Sequence, residues 1–184
     1  MTGDPDLLLI RAMARGDVQA LDALYARHGR SILAYLRGLL TDQQQAEEVL
    51  QDVMLAAWHG AGDFRGESQV KTWLIGIARL KAFNLLRRHQ PQLAVLDDNL
   101  LNQHDSGVFQ KVVLAGEREV IRTALAELPA DQRETLELIF YHELSGAEAA
   151  GVLGVPEGTV KSRLHRAKAA LRGILRRKEV GYGE

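Results

Sequence analysis

The segment that most constrains the fold runs from Val155 to Arg172 and reads VPEGTVKSRLHRAKAALR. If it is helical, at about 100° per residue, its apolar residues fall in one narrow stripe and its polar residues cover the remaining surface. The stripe comprises Val160, Leu164, Ala167 and Leu171. The remaining surface carries several cations and a single acid, Glu157. One face of this helix is therefore expected to pack, while the other presents hydrogen-bond donors.

The residues before this helix predict a second, shorter helix and a tight turn. Ser145 and Glu148 have the spacing of a capping box, which starts a helix. Gly154 is placed to end that helix in a left-handed conformation. Pro156 suits the first position of the next helix because its missing N–H would be unsatisfied there. A short helix, a tight turn and a basic helix together indicate a helix-turn-helix, an arrangement that many DNA-binding proteins use.

Two amphipathic helices precede the helix-turn-helix and are expected to supply its core. The first, EREVIRTALAEL, has the apolar residues Val120, Ile121, Ala124, Leu125 and Leu128. The second, DQRETLELIFYHEL, follows Pro129 and has an apolar face of Leu136, Ile139 and Phe140. The sequence thus predicts a small helical domain that ends in a helix-turn-helix.

The span ELPADQRETLELIFYHELSGAEAAGVLGVPEGTVKSRLHRAKAALR resembles region 4 of sigma factors of the sigma-70 family, in their extracytoplasmic-function (ECF) class. It combines LP-x-x-x-R, GTVKSRL and RAKAALR at the spacing of that family. The resemblance implies that this domain reads the minus-thirty-five promoter element. The residues it assigns to DNA are Lys161, Ser162, Arg163, His165, Arg166 and Lys168. Arg163 lies at the edge of the apolar stripe, so we expect its stem to pack and its guanidinium to reach outwards.

Composition narrows the class of protein further. A chain of 184 residues forms one large domain or two small ones. It contains no cysteine, which excludes disulfides and thiolate metal sites, and its six histidines show no ligand spacing. No apolar run is long enough to span a membrane, and the opening MTGDPDLLLIRAMARGD is too short and too charged for a signal peptide. We therefore expect a cytoplasmic protein without a metal, a cofactor or a membrane contact.

The distribution of charge suggests how the chain is organised. The net charge is -1, so affinity for nucleic acid must come from local segregation of charge. One basic segment lies between Pro156 and Lys178, and another lies between Lys71 and His89. The stretch between them has weak periodicity and is interpreted as a flexible linker, although its leucines and Phe109 leave a docked or partly helical linker open. The predicted fold is all-α, with a domain over 1–91, a linker over 92–115, a domain over 116–178 and a tail over 179–184.

A helix from Gln43 to Trp58, QQQAEEVLQDVMLAAW, has an unusual polar face. Its apolar face comprises Ala46, Val49, Leu50, Val53, Met54 and Ala57. Opposite this face project Glu48, Gln51, Asp52 and Leu55, which we term the acidic ridge. A single surface leucine is common in proteins and needs no function. The helix is similar, however, to region 2.2 of ECF sigma factors, which implies that the ridge docks on the clamp helices of the largest RNA polymerase subunit, with Leu55 as the apolar anchor.

The next segment, GDFRGESQVKTWLIGIARLKAFNLLRRH, resembles regions 2.3 and 2.4, which melt and read the minus-ten promoter element. Residues 64–69 are interpreted as a flexible loop, and residues 72–89 have helical periodicity. The buried side of that helix is expected to hold Leu74, Ala78, Ala82 and Leu85, with Ile75 and Leu86 beside them. Cations and an aromatic ring share the other side, as single-stranded DNA requires. The residues assigned to minus-ten DNA are Phe64, Arg65, Ser68, Gln69, Lys71, Trp73, Lys81, Asn84, Arg87 and Arg88.

Trp73 and Leu80 leave two questions open in this segment. Periodicity alone allows Trp73 to be a core residue instead of a stacking surface. The resemblance implies that the loop takes up a flipped base, and the family usually reads IARN where this chain reads IARL. Because Leu80 cannot donate the hydrogen bonds of an asparagine, we expect an unusual minus-ten preference.

The first helices, DPDLLLIRAMARGDVQALDALYARHGRSILAYLRGLL, resemble regions 1.2 and 2.1. Asp17 is a predicted N-cap between two of them. The expected core residues are Leu21, Leu24, Tyr25, His28, Ile32, Leu36 and Leu39. His28 is expected to be a satisfied histidine at the edge of the core. The regions follow one another in the family's order along nearly the whole chain.

These observations predict a transcription initiation factor that binds core RNA polymerase and directs it to promoter DNA. Such a factor performs no covalent chemistry, and the resemblance implies control by an anti-sigma factor. One alternative is a stand-alone helix-turn-helix regulator whose N-terminal domain senses a signal or dimerises. A more distant alternative is a metal-dependent nuclease that uses Glu47, Glu48 and Asp52.

Overall fold

The structure is a computed structural model that describes the backbone of residues 4–89 and 117–181, with the side chains of this part apart from 89, 117–120 and 178–181. The chain divides into two compact units, which we call the N-terminal and C-terminal units. The described residues form helices and no strands, which confirms the all-α fold with two domains. The predicted linker, 92–115, lies outside the described residues. The last helix continues to Gly181, past the boundary predicted at residue 178.

Four α-helices build the N-terminal unit. They are α1 (Leu7–Met13), α2 (Val18–Leu39), α3 (Gln43–Gly60) and α4 (Val70–His89), with a 3₁₀ turn (Ala61–Asp63) after α3. Asp17 caps α2 as predicted, because its carboxylate accepts a hydrogen bond from the N–H of Gln19 at 3.0 Å. Asp42 caps α3 in the same way, accepting from the N–H of Gln44 at 2.8 Å. Both caps satisfy backbone donors that have no partner within their helix.

The core of the N-terminal unit lies where α2, α3 and α4 pack against one another, while α1 packs on α2 and on the 3₁₀ turn. The predicted apolar face of α3 is buried at all of its positions. The prediction that Tyr25 belongs to the core is wrong, since this residue is 50% exposed and its ring lies along α2 against Gly29. Tyr35, which is fully buried, takes a place in the core instead.

His28 is buried at the edge of this core, as expected. Its Nε2 lies 2.6 Å from the Oδ2 atom of Asp6, which is itself buried. The guanidinium of Arg27 donates a hydrogen bond to the other carboxylate oxygen of Asp6. The histidine is therefore a satisfied structural residue that fastens the start of α1 to α2.

The C-terminal unit contains α5 (Glu117–Ala126), α6 (Ala130–Leu136), α7 (Gly146–Leu153) and α8 (Glu157–Gly181). Its core forms where α5, α6 and α8 meet. The buried members are Ala124, Leu128, Leu136, Ala167 and Ile174. Helices α7 and α8 pack against each other and form the predicted helix-turn-helix.

The junctions around α7 follow the sequence signals closely. The Oγ atom of Ser145 accepts from the N–H of Glu148 at 3.2 Å, and the carboxylate of Glu148 accepts from the N–H of Ser145 at 2.9 Å. Gly154 ends α7 with a φ of 68°, in the left-handed region that favours glycine. Helix α8 begins at Glu157, so Pro156 lies directly before the helix and not at its first position as predicted. The capping box and the glycine cap are thus confirmed.

A π-helical turn (Glu137–Tyr141) continues α6 and changes which residues face the core. The extra residue in a π turn rotates the following side chains relative to an α-helix. Leu138 is consequently fully buried, while Phe140 is 59% exposed and Tyr141 is 53% exposed. The prediction that Phe140 lies on the core face is therefore wrong.

Candidate nucleic-acid and protein interfaces

The outer face of α8 presents most of the residues predicted to contact minus-thirty-five DNA. The exposed members are Lys161, Ser162, His165, Arg166 and Lys168. Lys161 makes an ion pair with Glu157 at 2.9 Å, one turn earlier. The hydroxyl of Ser162 donates to the carbonyl of Thr159 at 2.9 Å. Lys161 is thus held by an acid of its own helix. The other four exposed side chains lie at the surface, where phosphates and base edges can reach them.

Arg163 departs from the sequence prediction. Its side chain is only 9% exposed, and its Nε atom lies 3.3 Å from a carboxylate oxygen of Asp131 at the start of α6. The guanidinium therefore points towards α6 and not outwards as expected. A buried charge is stabilised by a nearby opposite charge, so the ion pair explains this orientation. Arg163 joins the helix-turn-helix to the rest of the C-terminal unit.

An apolar groove of about 720 Å³ lies beside the basic face, between α5, the π turn and α8. Its apolar wall includes Ile121, Leu125, Leu136, Phe140, Leu171 and Leu175. Its cations are Arg133, Lys168, Arg172 and Arg176. The Nζ atom of Lys168 lies 5.0 Å from the centre of the Phe140 ring, a cation–π contact at the rim of the groove. Sequence reasoning missed this groove because the π turn that exposes Phe140 leaves no recognised signal in the periodicity.

Glu137 is the acid of this groove. It is buried, and its Oε1 atom has no hydrogen-bond partner among the described residues. Burial, together with the neighbouring carboxylate of Glu134, raises the pKa of Glu137 from 4.5 to about 8, against the opposing effect of the Arg133 charge. The side chain is therefore held mostly protonated at neutral pH, because an unpaired buried carboxylate would be costly.

The predicted minus-ten loop lies between the 3₁₀ turn and α4. Gly66 has a φ of +73°, a conformation that favours glycine. The Phe64 and Trp73 rings lie 4.8 Å apart between centroids, with their planes inclined at 41°. A Cβ atom on Gly60 would lie 3.3 Å from the Trp73 ring, so one edge of the indole packs on the end of α3. Trp73 is thus half-buried. It shares features of a core residue and of a stacking surface, the two interpretations that its periodicity left open.

The helix α4 combines a buried face with a mixed outer face. Leu74, Ile75, Ala78 and Ala82 are fully buried, as expected for its packed side. Leu80 is 57% exposed, so the residue that stands in the place of the family's asparagine lies at the surface. The guanidinium of Arg87 donates to the Oδ1 atom of Asn84 one turn earlier. Arg88 is exposed, and Lys71 and Lys81 are partly exposed.

The acidic ridge lies on the surface of α3. Glu48, Gln51, Asp52 and Leu55 are all exposed, and Leu55 is 54% exposed. Gln44 donates to the carboxylate of Glu48 at 3.1 Å. Because the opposite face of α3 is buried, the ridge contributes little to the fold and its side chains are available to a partner.

The acids of α3 do not form a metal site. Glu47 accepts hydrogen bonds from Arg37 at 3.2 Å and from Gln43 at 3.0 Å. Over residues 4–89 and 117–181, no group of three or more histidines, cysteines, aspartates or glutamates is placed to hold a metal ion. In the same part of the chain, no helix has both the length and the apolar character needed to cross a membrane.

Comparisons with known proteins match both units. The family model of sigma-70 region 2 matches residues 24–92, and that of sigma-70 region 4 matches residues 118–171. The chain is 34% identical over 170 residues to the ECF RNA polymerase sigma factor SigM of Mycobacterium tuberculosis, covering 92% of this chain and 84% of the relative. The chain belongs to the ECF class of the sigma-70 family. It is also 31% identical to the RNA polymerase sigma-H factor of Pseudomonas aeruginosa, with 93% of this chain and 94% of the relative covered.

Two solved structures resemble this sigma factor. One is CnrH in complex with the cytosolic domain of CnrY, with a TM-score of 0.66, 28% identity, and coverage of 92% of this chain and 96% of CnrH. The other is the sigma factor RpoE in complex with the anti-sigma factor NepR from Bartonella quintana, with a TM-score of 0.64, 27% identity, and coverage of 84% and 96%. The acidic ridge, the loop and α4 fall in region 2, and the helix-turn-helix falls in region 4. The chain acts in promoter-specific initiation of transcription, by binding core RNA polymerase.

Proposed function

We propose that three surfaces divide the work of this sigma factor. The acidic ridge binds core RNA polymerase, the loop 64–69 with α4 opens and holds minus-ten DNA, and the outer face of α8 reads the minus-thirty-five element. The factor acts in the cytoplasm and performs no covalent chemistry of its own. Its binding energy selects where the polymerase opens the duplex.

The observation that carries this proposal is the exposure of Leu55 among polar and acidic neighbours. A half-exposed leucine ringed by Glu48, Gln51 and Asp52 has the composition of an interface anchor with a polar rim. The ridge lies opposite the buried face of α3, so it can change without loss of the core.

Transcription from purified components tests the ridge. Leu55→Asp and Asp52→Arg place an unfavourable charge in the interface and are expected to weaken assembly with core enzyme by about 2 to 4 kcal/mol. Leu8→Asp is the matched control, since Leu8 is 71% exposed on α1. All three variants should keep the parent's helicity and melting temperature, and only the control should support promoter-dependent transcription. Full activity of the ridge variants would contradict the assignment, and early melting would show that the ridge is structural.

We further infer that an anti-sigma factor controls this chain and places an amphipathic helix in the region 4 groove. The similarity to CnrH and RpoE, whose structures contain a partner domain and an anti-sigma factor, supports this proposal. The exposed Phe140 and Ile121 suit the apolar face of such a helix, and the cations of α8 suit acids along its edge.

Inhibition assays can test the groove assignment once a candidate inhibitor is chosen. A neighbouring gene that encodes a membrane protein with a short cytoplasmic helical domain would supply it. We expect that domain to inhibit transcription by the parent and to inhibit a Phe140→Asp variant at least tenfold less well. Tyr25→Asp, a change of an exposed aromatic in region 2, serves as the control. Equal inhibition of both variants would rule out the groove as the docking surface.

A further inference from the structure

The short N-terminal segment 4–6 connects parts of region 2 that are distant in sequence. The Oδ2 atom of Asp4 accepts a hydrogen bond from the N–H of Val70 at 2.6 Å, across a separation of 66 residues. Its Oδ1 atom accepts from the N–H of Asp6 at 2.9 Å, which forms an Asx turn. Both carboxylate oxygens of Asp4 are therefore engaged, one within its own segment and one at the first residue of α4.

Helix α4 lacks a strong capping residue of its own. Gln69 occupies the N-cap position, because its carbonyl accepts from the N–H of Trp73 at 3.1 Å. Glutamine is not among the residues that cap well, which are Asn, Asp, Ser, Thr and Gly. The hydroxyl of Ser68 donates to the carbonyl of Gln69 at 3.3 Å. Ser68 is therefore not shown to accept a hydrogen bond from the backbone N–H groups at the start of α4. Asp4, which is distant in sequence, thus supplies α4 with a hydrogen-bond acceptor. Its negative charge also suits the N-terminus of a helix.

The rest of the segment anchors Asp4 and touches the other end of the loop. Asp6 is 4% exposed and is fastened to α2 through Arg27 and His28. Helix α1, which follows directly, packs on the 3₁₀ turn that precedes the loop. A Cβ atom on Gly66, within the loop, would lie 3.9 Å from a methyl group of Leu7. The N-terminal segment and α1 therefore pack on both sides of the loop, at the 3₁₀ turn before it and at Val70 after it, and Leu7 lies near Gly66 within it.

We propose that Asp4 is a positioning residue for promoter opening. By capping α4 at Val70, it fixes the end of the loop 64–69 and the start of the helix that carries Trp73. The inference rests on the proposed function, in which this loop takes up the flipped minus-ten base. Without Asp4, the first turn of α4 frays, and Ser68, Gln69 and Trp73 lose the geometry needed for base capture.

Open-complex formation measured by permanganate reactivity of unpaired thymines tests this role in the full chain with core enzyme. Asp4→Ala is expected to reduce the open complex about fivefold, the factor that loss of one cap represents. Core binding should stay within twofold of the parent, and a pre-melted promoter should restore the signal. Asp4→Asn keeps an oxygen acceptor and should retain at least half of the parent's open complex. Asp17→Ala removes the corresponding cap of α2 and controls for a general loss of helix stability.

Each outcome of these assays decides between the alternatives. Normal opening by Asp4→Ala overturns the proposal, since it shows that the loop does not depend on Asp4. An equal defect in Asp17→Ala with the same melting temperature also overturns it, since it shows that the loss of any helix cap in region 2 has this effect. A defect in Asp4→Asn as large as that in Asp4→Ala overturns the acceptor role. Phe64→Ala is assayed in parallel. Normal promoter opening by Phe64→Ala overturns base capture by the loop itself. Defective opening by Phe64→Ala together with normal opening by Asp4→Ala overturns only the positioning role of Asp4.

Discussion

The Nε atom of Arg163 lies 3.3 Å from the carboxylate of Asp131, and both side chains are largely withdrawn from solvent. The pair joins the DNA-facing helix α8 to α6. It separates Arg163 from its neighbour Arg166, which stands exposed on the same helix. Two arginines that look alike in a basic segment therefore belong to different parts of the molecule.

Replacing Arg163 by Ala is expected to destabilise region 4. The change removes a packed side chain and leaves Asp131 without this partner, so we expect a loss of about 2 to 4 kcal/mol in the free energy of unfolding. Urea unfolding of the full chain, followed through NMR signals of the Leu138 methyl groups, measures it. A variant with the parent's stability would show that the ion pair contributes nothing.

Replacing Arg166 by Ala is expected to affect DNA recognition and leave stability within about 0.5 kcal/mol. If Arg166 reads a base edge, the variant loses about 1 to 3 kcal/mol of binding and relaxes the preference at one position. Holoenzyme binding to a set of promoters with single changes in the minus-thirty-five element reports this. A uniform loss over all promoters would instead mark Arg166 as a phosphate contact.

Replacing Lys168 by Ala is expected to weaken binding to all promoter sequences alike. A single phosphate contact contributes about one unit to the slope of log affinity against log salt, and the variant should lose that unit. Phe140→Leu is the control, because it removes the ring under the Lys168 ammonium and keeps the charge. An unchanged salt slope in Lys168→Ala would place this lysine in the groove and not on DNA.

Replacing Phe64 by Ala is expected to block promoter opening after normal assembly. The side chain stacks against Trp73 at the surface, so its loss should leave the core of region 2 intact. Permanganate reactivity should fall on duplex promoter and recover on a pre-melted one. Loss of core binding would show that the loop is structural.

Glu137 predicts that the stability of region 4 depends on pH. Its pKa is raised by burial from 4.5 to about 8, so the folded state holds a proton that the unfolded state releases above pH 4.5. The contribution of Glu137 to the free energy of unfolding is therefore fully present below about pH 4.5. It decreases as the pH rises and is lost once the pH passes about 8. The charges beside it are Glu134 and Arg133 on its own helix, with Lys168, Arg172 and Arg176 lining the groove from α8.

A Glu137→Gln variant removes this ionisation. We expect it to be more stable than the parent by about 3 kcal/mol at pH 7, since pH 7 lies about 2.5 units above the ordinary pKa of 4.5 and one unit corresponds to about 1.4 kcal/mol. Between pH 5 and 8 its urea midpoint should vary less than the parent's. Parallel pH profiles of the two proteins would mean that Glu137 ionises normally in the folded state.

The sequence by itself determined those features that depend on neighbours along the chain. The caps at Asp17 and Ser145, the left-handed Gly154 and the buried stripe of α3 were all predictable, because each follows from residues within one or two helical turns. The acidic ridge could be placed at the surface for the same reason, since the phase of α3 was set by its six apolar residues. The order of these elements also carried the family resemblance.

The tertiary structure decided what depends on contacts between distant segments. Arg163 turned inwards because Asp131 of another helix lay within reach of its guanidinium, which periodicity along α8 does not record. Phe140, in the π turn, is exposed and lines a groove instead of the core. Asp4 capped α4 across 66 residues, and no local pattern encodes that pairing. Helical phase is a local property of the chain, whereas the partners that satisfy buried charges and helix ends are chosen by packing.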